Sequence, residues 1–513
     1  MKTKYLILVL TIGSMFLWSC DDKILNLENP GAMTSDSYYK TPAQLDAAVS
    51  AVYSAAKGGN LLSLSYFWLN EYQSDDCTLG GGQTEVHYVT ILNGTYDATN
   101  DVMGGVWNGW YRMIHRANVV IEKAPGVQKI DETIRKQRVA EAKFLRAWAY
   151  YELVVNWGKV PIYTEIVERL GGFQPRAEIA DVYAQIYKDL ADAIVDLPAV
   201  ASVDGGRATQ YAARALMAKA YLQQGNYAKA KEQLLPVVNS GKLALSSNYM
   251  DNFVEAVSIN NESLFQINFG GSDNYSMTWN GDGNETTAGA SLRHIYISAT
   301  TWRNMIPSDN LLAEYECVEK GFAKTDPRLK FTIYFTGDQY QPGKTLTAAK
   351  QNGNASTYNG ASIKTSWRKS TVTYISDAGW YSGRINQRVI RYSDVLLSLA
   401  ECYNELGRSD SAIIIMNQVR DRATVQMPHY PIVGSYPCST KDEVFNAIVH
   451  ERRVELAFEE VRANDLKRWY RNGKISKLPL LYTPKNPDGY LPIPLQEVNS
   501  NAKIGASNQT PGF

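Results

Sequence analysis

The chain has 513 residues, 45% of them hydrophobic and 20% charged, which is enough for a large core and, by length alone, about three domains. Lysine plus arginine and aspartate plus glutamate both come to 52, so the formal net charge is zero and the basic footprint of a nucleic-acid-binding protein is missing. With 33 tyrosines and 11 tryptophans against 13 phenylalanines, the aromatic content favours rings with a polar handle, which suit wet binding surfaces as well as cores.

Residues 1–20, MKTKYLILVLTIGSMFLWSC, set Lys2 and Lys4 before an apolar run that ends on Ser19-Cys20, the pattern of a secretory signal. The run is short for a membrane span, and the polar Asp21-Asp22-Lys23 follows it. Leu17-Trp18-Ser19-Cys20 resembles a bacterial lipobox, although Trp18 stands where a small residue is usual. The resemblance implies cleavage before Cys20 and acyl chains on its thiol and amine; several chains on one residue would anchor stably where a single chain would not. The acidic pair after Cys20 resembles the export tag of surface lipoproteins of the Bacteroidetes. Residues 1–19 are therefore expected to be a signal peptide and 20–40 a lipid-anchored tether. Of the remaining cysteines, Cys77, Cys317, Cys402 and Cys438, none stands in a CxxC or zinc-like spacing, so neither a metal site nor a cofactor is expected.

Thr41-Pro42 opens a helix over 43–56 that Lys57-Gly58-Gly59 closes. Residues 61–104 follow as a glycine-rich excursion that reads as loop with short strands. Helical periodicity returns over 107–123 and 132–157, where Ala142, Leu145, Ala149, Leu153 and Val154 form an apolar stripe, and again over 182–197. Residues 210–239 then read as two helices folded back on each other, framed by Ala218, Tyr221, Gly225 and Ala230. The same frame recurs at identical offsets as Ala400, Tyr403, Gly407 and Ala412. Small residues let helices approach, tyrosine fills the gap, and glycine supplies a left-handed turn, so the pair resembles tetratricopeptide repeats. Such a unit cannot bury its apolar face alone, so the two copies are expected to share one array.

The domain organisation expected is a helical repeat region over 41–257 with the excursion at 61–104, and an irregular ligand-binding insertion over 258–385. A returning helical region over 386–475 and a C-terminal tail over 476–513, packed on the helical body, complete it. Within the insertion, 263–269 and 331–335 are strand-like between turn residues, and 441–471 in the returning region is strongly helical.

Four segments in order, AKFLRAWAYYELVVNWGKVPI, SDVLLSLAECYNELG, ERRVELAFEEVRANDLKRW and LPIPLQEVNSNA followed by NQTPGF, resemble the RagB/SusD family of outer-membrane nutrient-binding lipoproteins. Gln509-Thr510-Pro511 departs from the usual Gln-Asn-Pro. The resemblance implies a mostly α fold with tetratricopeptide-like pairs on one face and a loop-rich, ligand-binding region with short strands on the other. It further implies no catalytic activity, and capture of oligosaccharides, or in some members peptides, for a SusC-like TonB-dependent transporter at the exterior of the outer membrane. A protein-interaction scaffold is the reading from a different class.

Enzyme motifs fail on spacing. Five residues separate Gly337 from Gly343-Lys344-Thr345 where a phosphate loop needs four, and Pro342 removes a donor from the cradle. His450-Glu451 lacks a second histidine one turn on, so its charges are read as helix-surface or inter-helix ion pairs. A glycan site needs aromatic platforms beside hydrogen-bonding groups, held on loops. Tyr275, Trp279, Tyr296 and Trp302, with Asn280, Asp282 and Arg293, meet that description, and Trp279 is the first choice because Asn280-Gly281-Asp282-Gly283 sets it against a turn. Tyr88 and Tyr96, near Asp76, Asn93 and Asn100, form a second group; Trp367, Trp380 and Tyr381 form a weaker third. Trp148, Trp157 and Trp469 lie in helical stripes and are expected in the core.

Overall fold

The computed structural model describes residues 39–81, 84–167, 172–200, 205–270, 291–377, 383–432, 435–480 and 484–513. Thr41 caps α1 (Pro42–Lys57) in a capping box with Gln44, and Pro42 occupies the first turn, where its missing N–H is not needed. There follow α2 (Ser65–Tyr72), β1 (Cys77–Leu79), α3 (Val86–Leu92) and the long helices α4 (Asp101–Lys123), α5 (Glu132–Trp157) and α6 (Ile179–Asp196). The first repeat is the hairpin of α7 (Gln210–Gln223) and α8 (Tyr227–Val238).

The chain then enters a region of short pieces: β2 (Ser263–Ile267), α9 (Arg293–Ile297), β3 (Met305–Pro307), α10 (Asp309–Glu314), α11 (Pro327–Thr332) and β4 (Ile333–Phe335). Five more strands complete it: β5 (Gln339–Gln341), β6 (Lys344–Thr345), β7 (Ser356–Tyr358), β8 (Ala361–Ile363) and β9 (Thr365–Trp367). It returns through β10 (Gln387–Arg391) to the second hairpin, α12 (Tyr392–Glu405) and α13 (Ser409–Arg420), and ends with α14 (Lys441–Leu456), α15 (Arg462–Arg471) and α16 (Leu495–Ser500).

The helices pack in series: α1 on α4, then α4 on α5, α5 on α6, α6 on α7 and α7 on α8. The series continues from α8 directly to α12, and α12 packs on both α13 and α14. Gly225 and Gly407 turn the two hairpins with φ of +66° and +77°, the left-handed region that other residues enter only at a cost. The strands that leave and re-enter the array, β2 and β10, pair antiparallel with Ile267 opposite Gln387. A second antiparallel pair, β1 with β3, joins the 61–104 excursion to the region after 258. The fold is mostly helical, with short strands that pair two at a time.

Two local expectations change. Residues 61–104 hold two helices, α2 and α3, beside the one strand β1. Every residue of α2 from Tyr66 to Tyr72 is buried, so SYFWLNEY has no polar face and carries no helical period to read. Residues 441–471, expected to be strongly helical, divide into two helices, α14 and α15. The break at 457–461 holds Phe458 and Glu460 at φ of +65° and +57°, with Phe458 stacked on Trp367 at 3.6 Å between ring centroids.

The charges of α14 from Glu451 to Glu455 are not on the surface. Glu451 and Glu455 are fully buried. Glu455 accepts from Arg391 and Arg422 at 2.7 Å each and from Arg328 at 3.1 Å, while Glu451 accepts from Arg328 at 2.5 Å and Arg420 at 2.9 Å. Glu262, just before β2, pairs with Arg391 at 2.8 Å and Arg422 at 2.7 Å. Both ends of the loop-rich region, at Glu262 and Arg391, are thereby fastened to one helix. A similar triad ties the repeats together, with Asp394 of α12 between Lys219 of α7 at 2.7 Å and Arg452 of α14 at 2.9 Å. Cys77, Cys317, Cys402 and Cys438 are free thiols.

Candidate functional site

Four rings from three stretches of sequence meet where the excursion touches the region after 258. Trp68 of α2 stacks on Tyr88 of α3 at 4.4 Å and meets the edge of Tyr296 of α9 at 5.8 Å; Tyr296 in turn meets the edge of Trp302 at 4.9 Å. Burial falls along this chain of rings. Trp68, Tyr296 and Tyr88 are 0%, 3% and 7% exposed, whereas Trp302 is only half-buried. The first three are a support, and Trp302 is the ring they hold out.

The backbone around Trp302 is closely fixed. Its N–H donates to the Ile295 carbonyl at 3.2 Å, and the Asn304 N–H donates to the Tyr296 carbonyl at 2.7 Å. Between them Arg303 adopts φ +52°. Its buried guanidinium donates to the carbonyls of Thr365, Asn352 and Asn354 and to the Ser366 hydroxyl, so four acceptors from β9 and the 352–354 turn stand in for a counterion. Burial lowers its pKa to about 10, leaving it charged at neutral pH.

The glycines at 80 and 81 have a steric reason. A Cβ on Gly80 would lie 2.1 Å from the Arg303 carbonyl oxygen, and one on Gly81 would lie 2.5 Å from that of Trp302. Beside them the Thr84 hydroxyl donates to the Asn304 carbonyl at 3.3 Å. The exposed Glu85 carboxylate stands near the Tyr296 phenol; burial and then this charge raise the phenol above its usual range. The Asn304 side-chain amide is buried beneath this turn with no hydrogen-bond partner on either atom.

The residues singled out from sequence therefore fall apart into groups. Tyr88, Tyr296 and Trp302 come together. Tyr275, Trp279, Asn280 and Asp282, with Trp380, Tyr381 and Cys20, lie outside the described residues. Tyr96 is elsewhere, 2% exposed and stacked on Phe513 at 5.6 Å. Arg293, expected beside the rings as a donor to ligand, turns inward: it pairs with Glu460 at 2.6 Å and donates to Gln387 and to the Leu62 carbonyl, so it positions α9. Asp76 is taken by Arg453 at 2.7 Å, and Asn100 caps α4 by accepting from the Met103 N–H. Trp367 is fully buried under Phe458, and Trp148, Trp157 and Trp469 are core residues. Gly81, Thr84, Glu85 and Arg303 were not picked out; the run Gly80-Gly81-Gly82 was the sequence signal for a close approach there.

Two clefts lie away from these rings. One, of about 620 Å³, runs between the start of α4 and α16, and the other, of about 290 Å³, lies beside Arg207 and Phe265. Among the described residues no group of three or more His, Cys, Asp or Glu could hold a metal ion.

Residues 261–489 match the model of the SusD family, and residues 25–222 match that of a family described as starch-binding and associating with the outer membrane. The chain belongs to the SusD family. A SusD-like protein, P25, of Formosa agariphila is 26% identical over 98% of each chain. A laminarin-binding SusD-like protein of known structure is 26% identical, with a TM-score of 0.73 over 93% of this chain and all of its own. A SusD-like carbohydrate-binding protein of Bacteroides fragilis shares the fold at a TM-score of 0.75 over 91% of this chain and all of its own, with 21% identity. In SusD terms, the helical array is the tetratricopeptide-like face, and the rings ending in Trp302 lie on the loop-rich face opposite in character.

Proposed function

We propose that this SusD-family protein captures an oligosaccharide at the cell exterior and passes it to a SusC-like TonB-dependent transporter, making and breaking no bond. Acyl chains on Cys20 would hold it at the outer membrane; among the described residues no helix is long and apolar enough to cross one. The observation that carries the reading is the single half-buried ring, Trp302, backed by Tyr296, Trp68 and Tyr88 on a rigid backbone. A sugar presents an apolar C–H face to such a ring and hydroxyls to its rim, where Thr84 and Glu85 stand. The laminarin-binding relative supports a glycan as ligand.

Calorimetry with the full chain in detergent, against laminarin and a panel of other glycans and peptides, tests this. Trp302→Ala is expected to weaken glycan binding about tenfold or more, equivalent to about 1.4 kcal/mol, with thermal unfolding little changed. Release of reducing ends, or binding of peptides alone, would sink the reading. Co-purification of a barrel transporter with the tagged chain checks the delivery step.

A further inference from the structure

Charge is unevenly placed in this neutral chain. Residues 58–111 contain no lysine or arginine and six acids: Glu71, Asp75, Asp76, Glu85, Asp97 and Asp101. Residues 243–292 likewise contain no lysine or arginine, while Asp273, Asp282 and Glu285 fall within them. The first stretch contains Trp68 and Tyr88, and the second ends just before Tyr296 and Trp302. The next two cations are Arg293 and Arg303, and neither faces solvent: they are 2% and 0% exposed. Arg293 is paired with Glu460, and Arg303 is enclosed by carbonyls and a hydroxyl. Among the described residues, Glu85 is an exposed charged group beside the rings, its carboxylate near the Tyr296 phenol. His87, on the next turn, faces Asp101 at 3.4 Å.

A site for a sulfated or uronic glycan needs cations that meet the anion, preferably arginines with free donors. Here the arginines are consumed internally and the exposed charge has the wrong sign. We infer that the Trp302 site selects uncharged glycans, and that Glu85 sets this selectivity by repelling anionic chains. This rests on the capture reading above. The field of one exposed carboxylate reaches about 8–10 Å at physiological salt, far enough to meet substituents on the sugar over Trp302 and on its neighbour.

The probe is a matched pair, laminarin and sulfated laminarin, with other neutral and acidic polysaccharides beside them, titrated into the full chain at low and high salt. The neutral polymer is expected to bind at least about tenfold more tightly than its sulfated form at low salt, and the gap is expected to narrow as salt rises. Glu85→Gln should shrink that ratio several-fold, and Glu85→Lys should shrink it further or reverse it. An acidic glycan bound more tightly than any neutral one, weakened by salt and lost in Trp302→Ala, would overturn the selectivity while leaving capture intact. Arg384, beside Gly270 at the edge of the second stretch, is the residue to replace next in that case. If neutral glycans bind but Trp302→Ala has no effect, the inference falls and capture occurs elsewhere. If no glycan of either kind binds, both fall.

Discussion

The helical array and the loop-rich face are stable for different reasons. In the array each helix meets its neighbours along a stripe of small and apolar residues, as α7 does with Ala212, Ala213, Leu216 and Ala220, all at or below 1% exposure. Stability is spread over many similar contacts, as in other repeat proteins. The strands of the loop-rich face run from two to five residues and pair only two at a time. They are too short to bury a continuous apolar surface, and the region is fastened by polar groups in the interior instead. Arg388 donates to the carbonyls of Asn252, Asp251 and Val257, and Lys369 donates to those of Glu455 and Ala457. Repetition tolerates local loss, whereas the irregular face depends on a few buried groups. That irregularity is also what lets a ring such as Trp302 be held outward, since a helix or a wide sheet would turn it toward a neighbour.

The sharpest way to break this contrast is to remove one buried charge. Glu455→Ala takes one buried carboxylate from Arg391, Arg422 and Arg328 together and leaves Glu262 alone between the first two, and about 3–5 kcal/mol of stability should be lost in denaturant unfolding. A loss below about 1 kcal/mol would show that the network is not what holds the region.

Acid should separate the two regions next. The Glu262 and Glu451 carboxyls are buried, which by itself would raise their pKa, but their arginine partners outweigh this and hold both at about 2, below the ordinary value of 4.5. Because these values are depressed in the folded state, their stabilisation is complete above pH about 4.5 and is lost as pH falls toward 2. Hydrogen exchange near pH 3 should accelerate in residues 327–391 before it does in α4 to α6; simultaneous loss would contradict the comparison. The buried His450, between Glu314 at 2.5 Å and Glu316 at 3.2 Å, runs the other way. Burial opposes its protonation, yet the two carboxylates beside it raise its pKa to about 9, so its stabilisation is present below pH 6.5 and fades as pH rises through 9.

The smallest effect belongs to the array. Gly407→Ala adds a Cβ that meets nothing within 4 Å but must be held at φ +77°, at a cost of about 1 kcal/mol. Melting the single variant tests this. A much larger loss would mean that the repeats are not the tolerant half of the molecule.

Local pattern was enough for what is periodic. The bounds of α5, 132–157, and the frame shared by Gly225 and Gly407 follow from the cap at Asp131, the glycine at 158 and a turn only glycine makes easily. Burial on all sides erased that signal in α2. In α14 the residue types pointed to ion pairs, but Glu455 finds Arg391 and Arg422 more than thirty positions away, and only that encounter puts the charges inside.

At the candidate site, the sequence reading named Tyr88, Tyr296 and Trp302 within a longer set headed by Trp279, and the fold brings these three together. Which of them is presented was settled by Trp68 stacking beneath, and whether Arg293 serves ligand or scaffold was settled by Glu460. Sequence by itself thus determined the helices, the repeat, the family resemblance and the uneven charge, all of which are properties of neighbouring residues or of composition. The tertiary structure alone decided exposure and partnership, because both depend on segments hundreds of residues apart arriving at the same place.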